Sequence, residues 1–202
     1  MNPTVRLERL TEKNFADYEK LTSCQKDGGC YCAFWHQKWS SMEEWNNRQK
    51  EAPLLNRDTV LDKVRSGFHV GVLAYQNDEL LAWVSVGPLT DYYWTWRRLA
   101  QVGESGKSTA AITCITIAAR FRNRGFQTIL LRELKTYGKA QGWTMIEGYP
   151  FDESALVKHK ENVIWPGLTK GFIEARFERV APHWLDSPDY RRSIYQMQLL
   201  HN

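Results

Sequence analysis

Residues Ile112–Gly142, ITCITIAARFRNRGFQTILLRELKTYGKAQG, form the stretch that decides the fold. Its first part, Ile112–Ile117, is apolar and rich in β-branched residues, which predicts a strand. Its second part repeats apolar side chains at helical spacing, namely Phe126, Ile129, Leu130, Leu134 and Tyr137. This period predicts a helix that begins near Gly125 and ends at Gly142, a residue typical of a left-handed C-cap. The stretch therefore predicts a strand that passes through a short basic turn into an amphipathic helix.

The turn before this helix is basic and contains a glycine. Arg122, Asn123 and Arg124 place cationic or polar side chains beside Gly125, whose missing Cβ lets a bulky anion approach the backbone. The first N–H groups of a helix have no partner within the helix, and they carry the positive end of its dipole. The turn is therefore predicted to bind a diphosphate. The alternative is that both arginines only face solvent and that Gly125 only eases the turn.

The sequence on both sides of this stretch predicts one mixed series of strands and helices. Before it, we expect a strand at Val5–Leu10, helices from Thr11, over Met42–Lys50 and over Asn56–Ser66, and a hairpin of His69–Tyr75 with Leu80–Val86. After it, we expect strands at Met145–Tyr149, Phe177–His183 and Ser193–Leu199, and a short helix near Leu168–Ala175. No Gly-, Ser- or Pro-rich linker interrupts the 202 residues, so we expect one domain over residues 1–202.

The motif Arg122-Asn123-Arg124-Gly125-Phe126-Gln127, between a strand and a helix, resembles the Arg/Gln-x-x-Gly-x-Gly/Ala signature of the GNAT acyltransferases. The order of the predicted elements is similar to that of the family over nearly the whole chain. The resemblance implies an α/β (α+β) fold with a mixed, mostly antiparallel central sheet and helices on both faces. It also implies an acetyl-CoA-dependent N-acetyltransferase that acetylates a primary amine of a small molecule or a peptide.

The resemblance further implies where acetyl-CoA, the co-substrate, binds. The backbone of the signature strand at Ile115 and Ile117 is expected to pair with the pantetheine arm. The acetyl group is then expected near Ile115 and Glu147, where two neighbouring parallel strands splay apart. The pyrophosphate is expected on the N–H groups of Arg122, Asn123, Arg124, Gly125, Phe126, Gln127 and Thr128.

Three positions depart from the pattern of the family. Gln127 replaces the last small residue of the signature and adds bulk at the start of the helix. Phe172 stands where the short helix of the family often carries a tyrosine that protonates the leaving thiolate. Ala111 stands where some relatives carry a glutamate base on the strand. A non-catalytic acyl-CoA-binding module is therefore an alternative.

Acetylation of an amine requires a group that takes a proton from the ammonium form of the acceptor. Glu147, on the strand beside the expected acetyl site, and Asp152, just past the end of that strand, are the two carboxylates predicted for this role. The alternative for each is a surface carboxylate. Tyr149 is a further candidate, as an acid toward the sulfur. His159 and His183 have no neighbouring pattern of catalytic type, so we expect both on the surface.

Cys24, Cys30, Cys32 and His36 form a cluster that could supply four zinc ligands. A single residue between Cys30 and Cys32 is poor spacing for a zinc site, so no metal is expected. A zinc-stabilised interaction domain is therefore the weaker alternative. Buried apolar thiols and redox-active thiols are both compatible with the cluster.

The charge and the cysteine content argue against other classes of protein. The 27 basic and 23 acidic residues give a formal net charge of +4 that is scattered along the chain, which disfavours a nucleic-acid surface. No stretch approaches the ~18 apolar residues of a membrane span, and the 4 cysteines are too few for a disulfide framework. We therefore expect a cytoplasmic protein without nucleic-acid or membrane partners, and the sequence is compatible with a homodimer.

Aromatic residues are dense in two segments, Phe34–Trp45 and Tyr92–Trp96. The GNAT resemblance implies that these segments shape the acceptor pocket. Stacking and cation–π contacts there would hold an aromatic or cationic group. The alternative is that the rings are ordinary core.

Overall fold

A computed structural model of the chain describes residues 4–23, 29–153, 166–188 and 191–199. The described strands are β1 (Val5–Arg9), β2 (Val72–Gln76), β3 (Glu79–Pro88), β4 (Thr109–Ile117), β5 (Met145–Gly148), β6 (Glu178–Pro182) and β7 (Ser193–Gln198). The described helices are α1 (Phe15–Thr22), α2 (Met42–Glu51), α3 (Pro53–Arg65), α4 (Trp96–Val102), α5 (Phe126–Ala140) and α6 (Thr169–Glu174). Cys24 and His159 lie outside the described residues.

The described strands form a seven-stranded sheet in the order β1-β2-β3-β4-β5-β7-β6. Neighbouring strands are antiparallel except β4 and β5, which run parallel. A parallel pair needs a crossover connection, and α5 supplies it here. The predicted α/β fold with a mixed, mostly antiparallel sheet and helices on both faces is confirmed.

The two faces of the sheet are covered by different helices. On the face that carries α5 and α6, called the α5 face, Leu130 belongs to one buried cluster with Ile112 and Ile146. On the opposite face, called the α1 face, Tyr18 packs against Trp83 with 4.7 Å between the ring centroids. Each fully buried aliphatic side chain contributes about 1.5–3 kcal/mol, so both layers stabilise the sheet between them.

Some helices begin where the local sequence signals a start, and others do not. Ser41 precedes α2, and its Oγ caps the helix by accepting a hydrogen bond from the N–H of Glu44 at 3.1 Å. Helix α4 is not among the helices predicted from the sequence. Its Arg98 contacts a carboxylate on β5, a tertiary contact that no local pattern reveals.

None of the helices among the described residues has the length and apolar character needed to span a membrane.

Candidate active site

An open gap lies between β4 and β5. Their pairing ends at Ile112 and Gly148. Beyond this point β4 continues to Ile117, whereas the chain after β5 turns away and Phe151 bridges to Leu168 instead. Within the described residues, the backbone over 113–117 therefore has no strand on this side. An extended molecule with amide groups can pair with such an edge.

β4 carries a bulge where the gap begins. Ser85 of β3 pairs with Cys114 and Val86 pairs with Ile112, so Thr113 is the extra residue. The Thr113 hydroxyl donates to the Ser85 Oγ at 2.8 Å, which fixes the bulge from within the sheet. A bulge bends its strand and increases the local twist, and this favours the divergence of β4 from β5.

The turn between β4 and α5 has the conformation that its glycine and asparagine permit. Gly125 has a φ of 77° and Asn123 a φ of 58°, both in the left-handed region that these two residue types tolerate best. Apart from Gly125 and its two chain neighbours, no heavy atom of the described residues lies within 4 Å of the position that a Cβ of Gly125 would occupy. Gly125 is therefore required by the backbone, and the space beside it is open to a ligand.

The start of α5 offers unpaired N–H groups. Arg122 donates its N–H to the Ala119 carbonyl at 3.3 Å, and Thr128 donates its N–H to the Gly125 carbonyl at 3.2 Å. The N–H groups of Arg122 and Thr128, two of the predicted pyrophosphate contacts, are therefore already hydrogen-bonded within the protein. The N–H groups of residues 123–127 donate no hydrogen bond to any other described residue. They lie at the positive end of the helix dipole, an arrangement that binds phosphate oxygens.

Three arginines surround this turn. Arg122 and Arg124 are exposed, and neither has a carboxylate partner among the described residues. Arg122 donates from Nε to the Ile117 carbonyl at 2.9 Å, so it occupies one predicted pantetheine contact and keeps its terminal nitrogens available. Arg120 is a third cation that the sequence-based prediction omitted, and it lies 3.4 Å from Glu79. Its alternation with Arg122 and Arg124 is the signal that could have identified it.

The Gln127 side chain lies against the segment before α6 and not in the turn. Its Nε2 donates to the Leu168 carbonyl at 2.8 Å, and its Oε1 accepts the Leu168 N–H at 3.2 Å. A Cβ on Gly171 would lie 2.3 Å from Nε2, so the glycine makes room for the amide. Gln127 therefore ties the start of α5 to the segment before α6, and its backbone N–H is left for a ligand.

The aromatic residue of α6 belongs to the core. Phe172 is fully buried against Phe177 and Tyr195, with 5.0 and 6.2 Å between ring centroids. A Cβ on Gly148 would lie 2.4 Å from the Phe172 ring, so this packing requires a glycine at the end of β5. The ring offers no proton, and an acid for a leaving thiolate has to come from elsewhere.

Glu147 is buried on the α1 face, directly across from Ala111 of β4. Arg98 donates from Nε to both carboxylate oxygens at 3.0 and 3.2 Å. The Tyr149 hydroxyl donates to the carboxylate at 2.6 Å, and the Gln196 amide donates to it at 3.0 Å. The alternative of a surface carboxylate is therefore wrong for Glu147. Because residue 111 is an alanine, β4 has no carboxylate at this position. Glu147, which pairs with Ala111 from the neighbouring strand β5, places a carboxylate there instead.

Asp152 lies apart from Glu147. It is exposed and lines a depression of about 460 Å³ together with Thr169 and Tyr195, on the α5 face. Its N–H donates to the Arg191 carbonyl at 2.9 Å, beside β7. The structure therefore does not bring the two predicted carboxylates together.

Aromatic side chains cover the α1 face around Tyr149. Trp35 stacks beside Tyr149 with 6.4 Å between ring centroids, and Phe34 stacks on Trp94 at 5.6 Å. His183 meets the edge of the Tyr149 ring at 5.2 Å. The two aromatic segments of the sequence are therefore brought together next to Glu147.

Buried histidines remain neutral in the fold. His183 is only 3% exposed, so the expectation of a surface residue is wrong. Burial is the main cause that lowers the pKa of His183 and of His36 to about 3. Burial, with a smaller effect from the Arg9 charge, lowers the pKa of His69 to about 4. The three imidazoles are therefore uncharged at pH 7.

Lowering the pH from 7 to 5 is expected to reduce the free energy of unfolding. The unfolded chain binds protons at these histidines near pH 6.5, whereas folded His183 does so only near pH 3. Stability is therefore intact above pH 6.5 and is lost as the pH falls below it. His183 alone should contribute about 2 kcal/mol of this loss. Urea unfolding of the wild type and His183→Phe at both pH values measures it, and an identical pH dependence of the two proteins would contradict it.

The described cysteines form a thiol cluster on the α1 face. Hydrogen bonds with Cys114 and Cys30, together with burial, raise the pKa of the Cys32 thiol. Trp83 donates from Nε1 to the Cys32 Sγ at 3.3 Å. Over the described ranges, no group of three or more His, Cys, Asp or Glu side chains is arranged to hold a metal ion. Cys32 is therefore a protonated core side chain and Cys114 is buried beside it, whereas Cys24 lies outside the described residues.

A parallel strand pair that opens onto a basic helix start is the arrangement that the resemblance to acyl-CoA-dependent N-acyltransferases implies. The model of the acetyltransferase (GNAT) family matches residues 29–151. The chain therefore belongs to the acetyltransferase (GNAT) family, and the predicted enzyme class is confirmed. No curated protein sequence matches the chain.

Solved structures share this fold over nearly the whole chain. An acetyltransferase of the GNAT family from Bacillus cereus is 8% identical with a TM-score of 0.54, covering 98% of this chain and 99% of that chain. PaiA N-acetyltransferase from Thermoplasma acidophilum in complex with coenzyme A is 11% identical with a TM-score of 0.50, covering 96% and 99%. Aminoglycoside acetyltransferase AAC(6')-Ib in complex with coenzyme A and kanamycin is 16% identical with a TM-score of 0.54, covering 96% and 95%. At these identities the likeness is one of fold.

Proposed function

We propose that this protein, as a single domain over residues 1–202, transfers an acetyl group from acetyl-CoA to a primary amine of a small molecule or a peptide. The observation that carries the proposal is the open edge of β4, which leads directly into the unpaired N–H groups of residues 123–127. The edge suits the amides of pantetheine, and the turn suits a pyrophosphate. Coenzyme A in solved relatives of the same fold supports this choice of ligand.

In this proposal the acyl donor is held mainly by the main chain. Ile115 and Ile117 pair with pantetheine, and Arg122 releases the Ile117 carbonyl to contact the pyrophosphate together with Arg124. Thr128 has a supporting part, because its hydroxyl donates to Glu174 at 2.8 Å and its N–H closes the turn. A backbone N–H beside Ile115 stabilises the oxyanion of the tetrahedral intermediate. The N–H groups for the pyrophosphate are those of Asn123, Arg124, Gly125, Phe126 and Gln127.

Glu147 is the proposed proton acceptor, and it acts through Tyr149. Burial and the nearby Glu147 charge raise the pKa of Tyr149 well above its ordinary value, so its hydroxyl stays protonated and donates to Glu147. The Tyr149 oxygen can accept a proton from the ammonium group while its own proton passes to the carboxylate. The neutral amine then attacks the thioester carbonyl, and as the C–S bond breaks the nitrogen loses its second proton to water. The thiolate recovers a proton through Tyr149 or water, since Phe172 has none to give.

Thiol release from acetyl-CoA tests this proposal. We expect a panel of primary amines to include acceptors that raise the rate of thiol release above hydrolysis, with one acetyl group added per thiol as measured by mass spectrometry. If acetyl-CoA binds but no amine raises the rate, the transfer proposal is wrong and binding alone is left.

A further inference from the structure

A surface depression of about 360 Å³ lies at the end of the sheet opposite to the gap. One of its lining residues, Pro88, ends β3 and pairs with Ala110 near the start of β4. The gap, in contrast, borders the last residues of β4, 113–117. The depression is therefore separate from the proposed acyl-CoA site, and an inference about it does not depend on the proposed function.

Aromatic side chains line part of this depression. His69 and Trp143 are buried, and their rings meet edge-on at 5.1 Å, whereas Phe68 is 36% exposed. Both ring nitrogens of His69 are engaged, because Nδ1 donates to the Val86 carbonyl at 2.9 Å and Nε2 lies 2.7 Å from the Tyr137 hydroxyl. His69 therefore contributes ring surface to the depression and no hydrogen bond.

A cation and a carboxylate line the same depression, and within the described residues neither forms an ion pair. The cation is Arg9, which is exposed and donates from Nη2 to the Gly67 carbonyl at 2.7 Å. The carboxylate is Asp91, which is half-buried and accepts from the Thr90 hydroxyl at 3.3 Å. Burial raises the pKa of Asp91, against smaller opposing effects of the Thr90 hydrogen bond and the Lys63 charge.

The charge of Lys63 is not placed on Asp91. Its Nζ lies over the Phe68 ring, 4.0 Å from the ring centroid, and it forms no ion pair with Asp91. A carboxylate that is partly removed from water and lacks a counter-charge is unfavourable, so Asp91 suits a cationic ligand group. The Arg9 guanidinium keeps further N–H groups for an anion.

We infer that this depression binds a free α-amino acid with an apolar or aromatic side chain. Asp91 accepts hydrogen bonds from the ammonium group, and Arg9 donates to the carboxylate. The side chain packs against the rings of Phe68 and Trp143. A ligand with only one of the two charges would leave Asp91 or Arg9 unpaired, so the two charges together define the class of ligand.

Calorimetric titration tests the inference with L-phenylalanine, with 3-phenylpropanoate, which lacks the ammonium group, and with 2-phenylethylamine, which lacks the carboxylate. We expect L-phenylalanine to bind at least about tenfold more tightly than either analogue, since each analogue loses one charged hydrogen-bonding group. Asp91→Asn should weaken L-phenylalanine binding about tenfold or more without weakening that of 3-phenylpropanoate. Arg9→Met should weaken L-phenylalanine binding by a similar factor without weakening that of 2-phenylethylamine.

Arg6→Met and Asp78→Asn are the matched controls. Arg6 also lies on β1, Asp78 directly precedes β3, and the two side chains pair with each other at 3.2 Å. Both variants should bind L-phenylalanine like the wild type. All four variants should keep the wild-type affinity for coenzyme A, because the proposed acyl-CoA site lies at the other end of β4.

Two results would overturn the inference. The first is the absence of L-phenylalanine binding to the wild type at about 10 mM ligand. The second is an equal affinity for L-phenylalanine in the wild type, Asp91→Asn and Arg9→Met. Neither result would affect the proposed function, which is measured separately by thiol release.

Discussion

Replacing Arg98 with methionine is expected to lower the free energy of unfolding by about 3–5 kcal/mol. The substitution leaves the Glu147 carboxylate, which has 0% exposure, without its counter-charge. Urea unfolding at pH 7 measures the loss. Glu147→Gln in the Arg98→Met background should recover a large part of it, because the double variant has no buried charge to desolvate.

Arg65→Met is the control for this prediction. Arg65 pairs with Glu12 at 2.8 Å, but both side chains are more than half exposed, at 55% and 58%. Exposed ion pairs contribute about 0–1 kcal/mol, so this variant should unfold almost like the wild type. An equal loss in Arg65→Met and Arg98→Met would show that the buried pair has no special role.

Replacing Tyr149 with phenylalanine is expected to reduce kcat by about 10²–10³-fold, the usual contribution of a positioned proton-transfer group. The KM for acetyl-CoA should not change, because the donor is proposed to bind to the main chain of β4 and α5. Glu147→Gln should give a similar loss. The double variant should lose little more, since residues that act as one relay are not additive.

Tyr75→Phe is the matched control, because the Tyr75 hydroxyl also donates to a carboxylate, that of Asp17, at 2.8 Å. Tyr75 lies on β2, away from the gap. Its variant should keep kcat within about twofold of the wild type in the thiol-release assay. A Tyr149→Phe enzyme with kcat within about threefold of wild type would exclude the proton relay.

Much of the fold is readable from local pattern because it depends on neighbours in sequence. The helical spacing from Phe126 to Tyr137 predicts α5, and Gly142, directly after the C-cap residue Gln141, has the expected left-handed φ of 77°. The proposed anion site is readable for the same reason, since the turn around Gly125 is built from consecutive residues. Where strand pairing determines the end of an element, the observed end differs from the predicted one. Strand β5, for example, ends at Gly148 and not at Tyr149.

The proposed proton-transfer groups depend on contacts between residues that are distant in the sequence. Arg98 and Glu147 are separated by 49 positions, and Gln127 and Leu168 by 41. Neither the spacing of apolar residues nor any motif in the sequence indicates a contact between such distant residues. Glu147 could be selected because its strand lies beside the expected acetyl site, but its ion pair could not. The burial of His183 has no local signal either, because it results from the packing of Tyr149 and Trp184 around it.

The measurement that tests the central claim most directly is a calorimetric titration of coenzyme A and of pantetheine, which lacks the pyrophosphate. The proteins are the wild type, Arg122→Ala/Arg124→Ala, and Lys135→Ala/Lys139→Ala, which removes the same charge from the remote half of α5. We predict that the arginine variant binds coenzyme A at least about tenfold more weakly, with pantetheine unaffected and the lysine variant like the wild type. Equal coenzyme A affinity in all three proteins would contradict the assignment of the pyrophosphate to this turn.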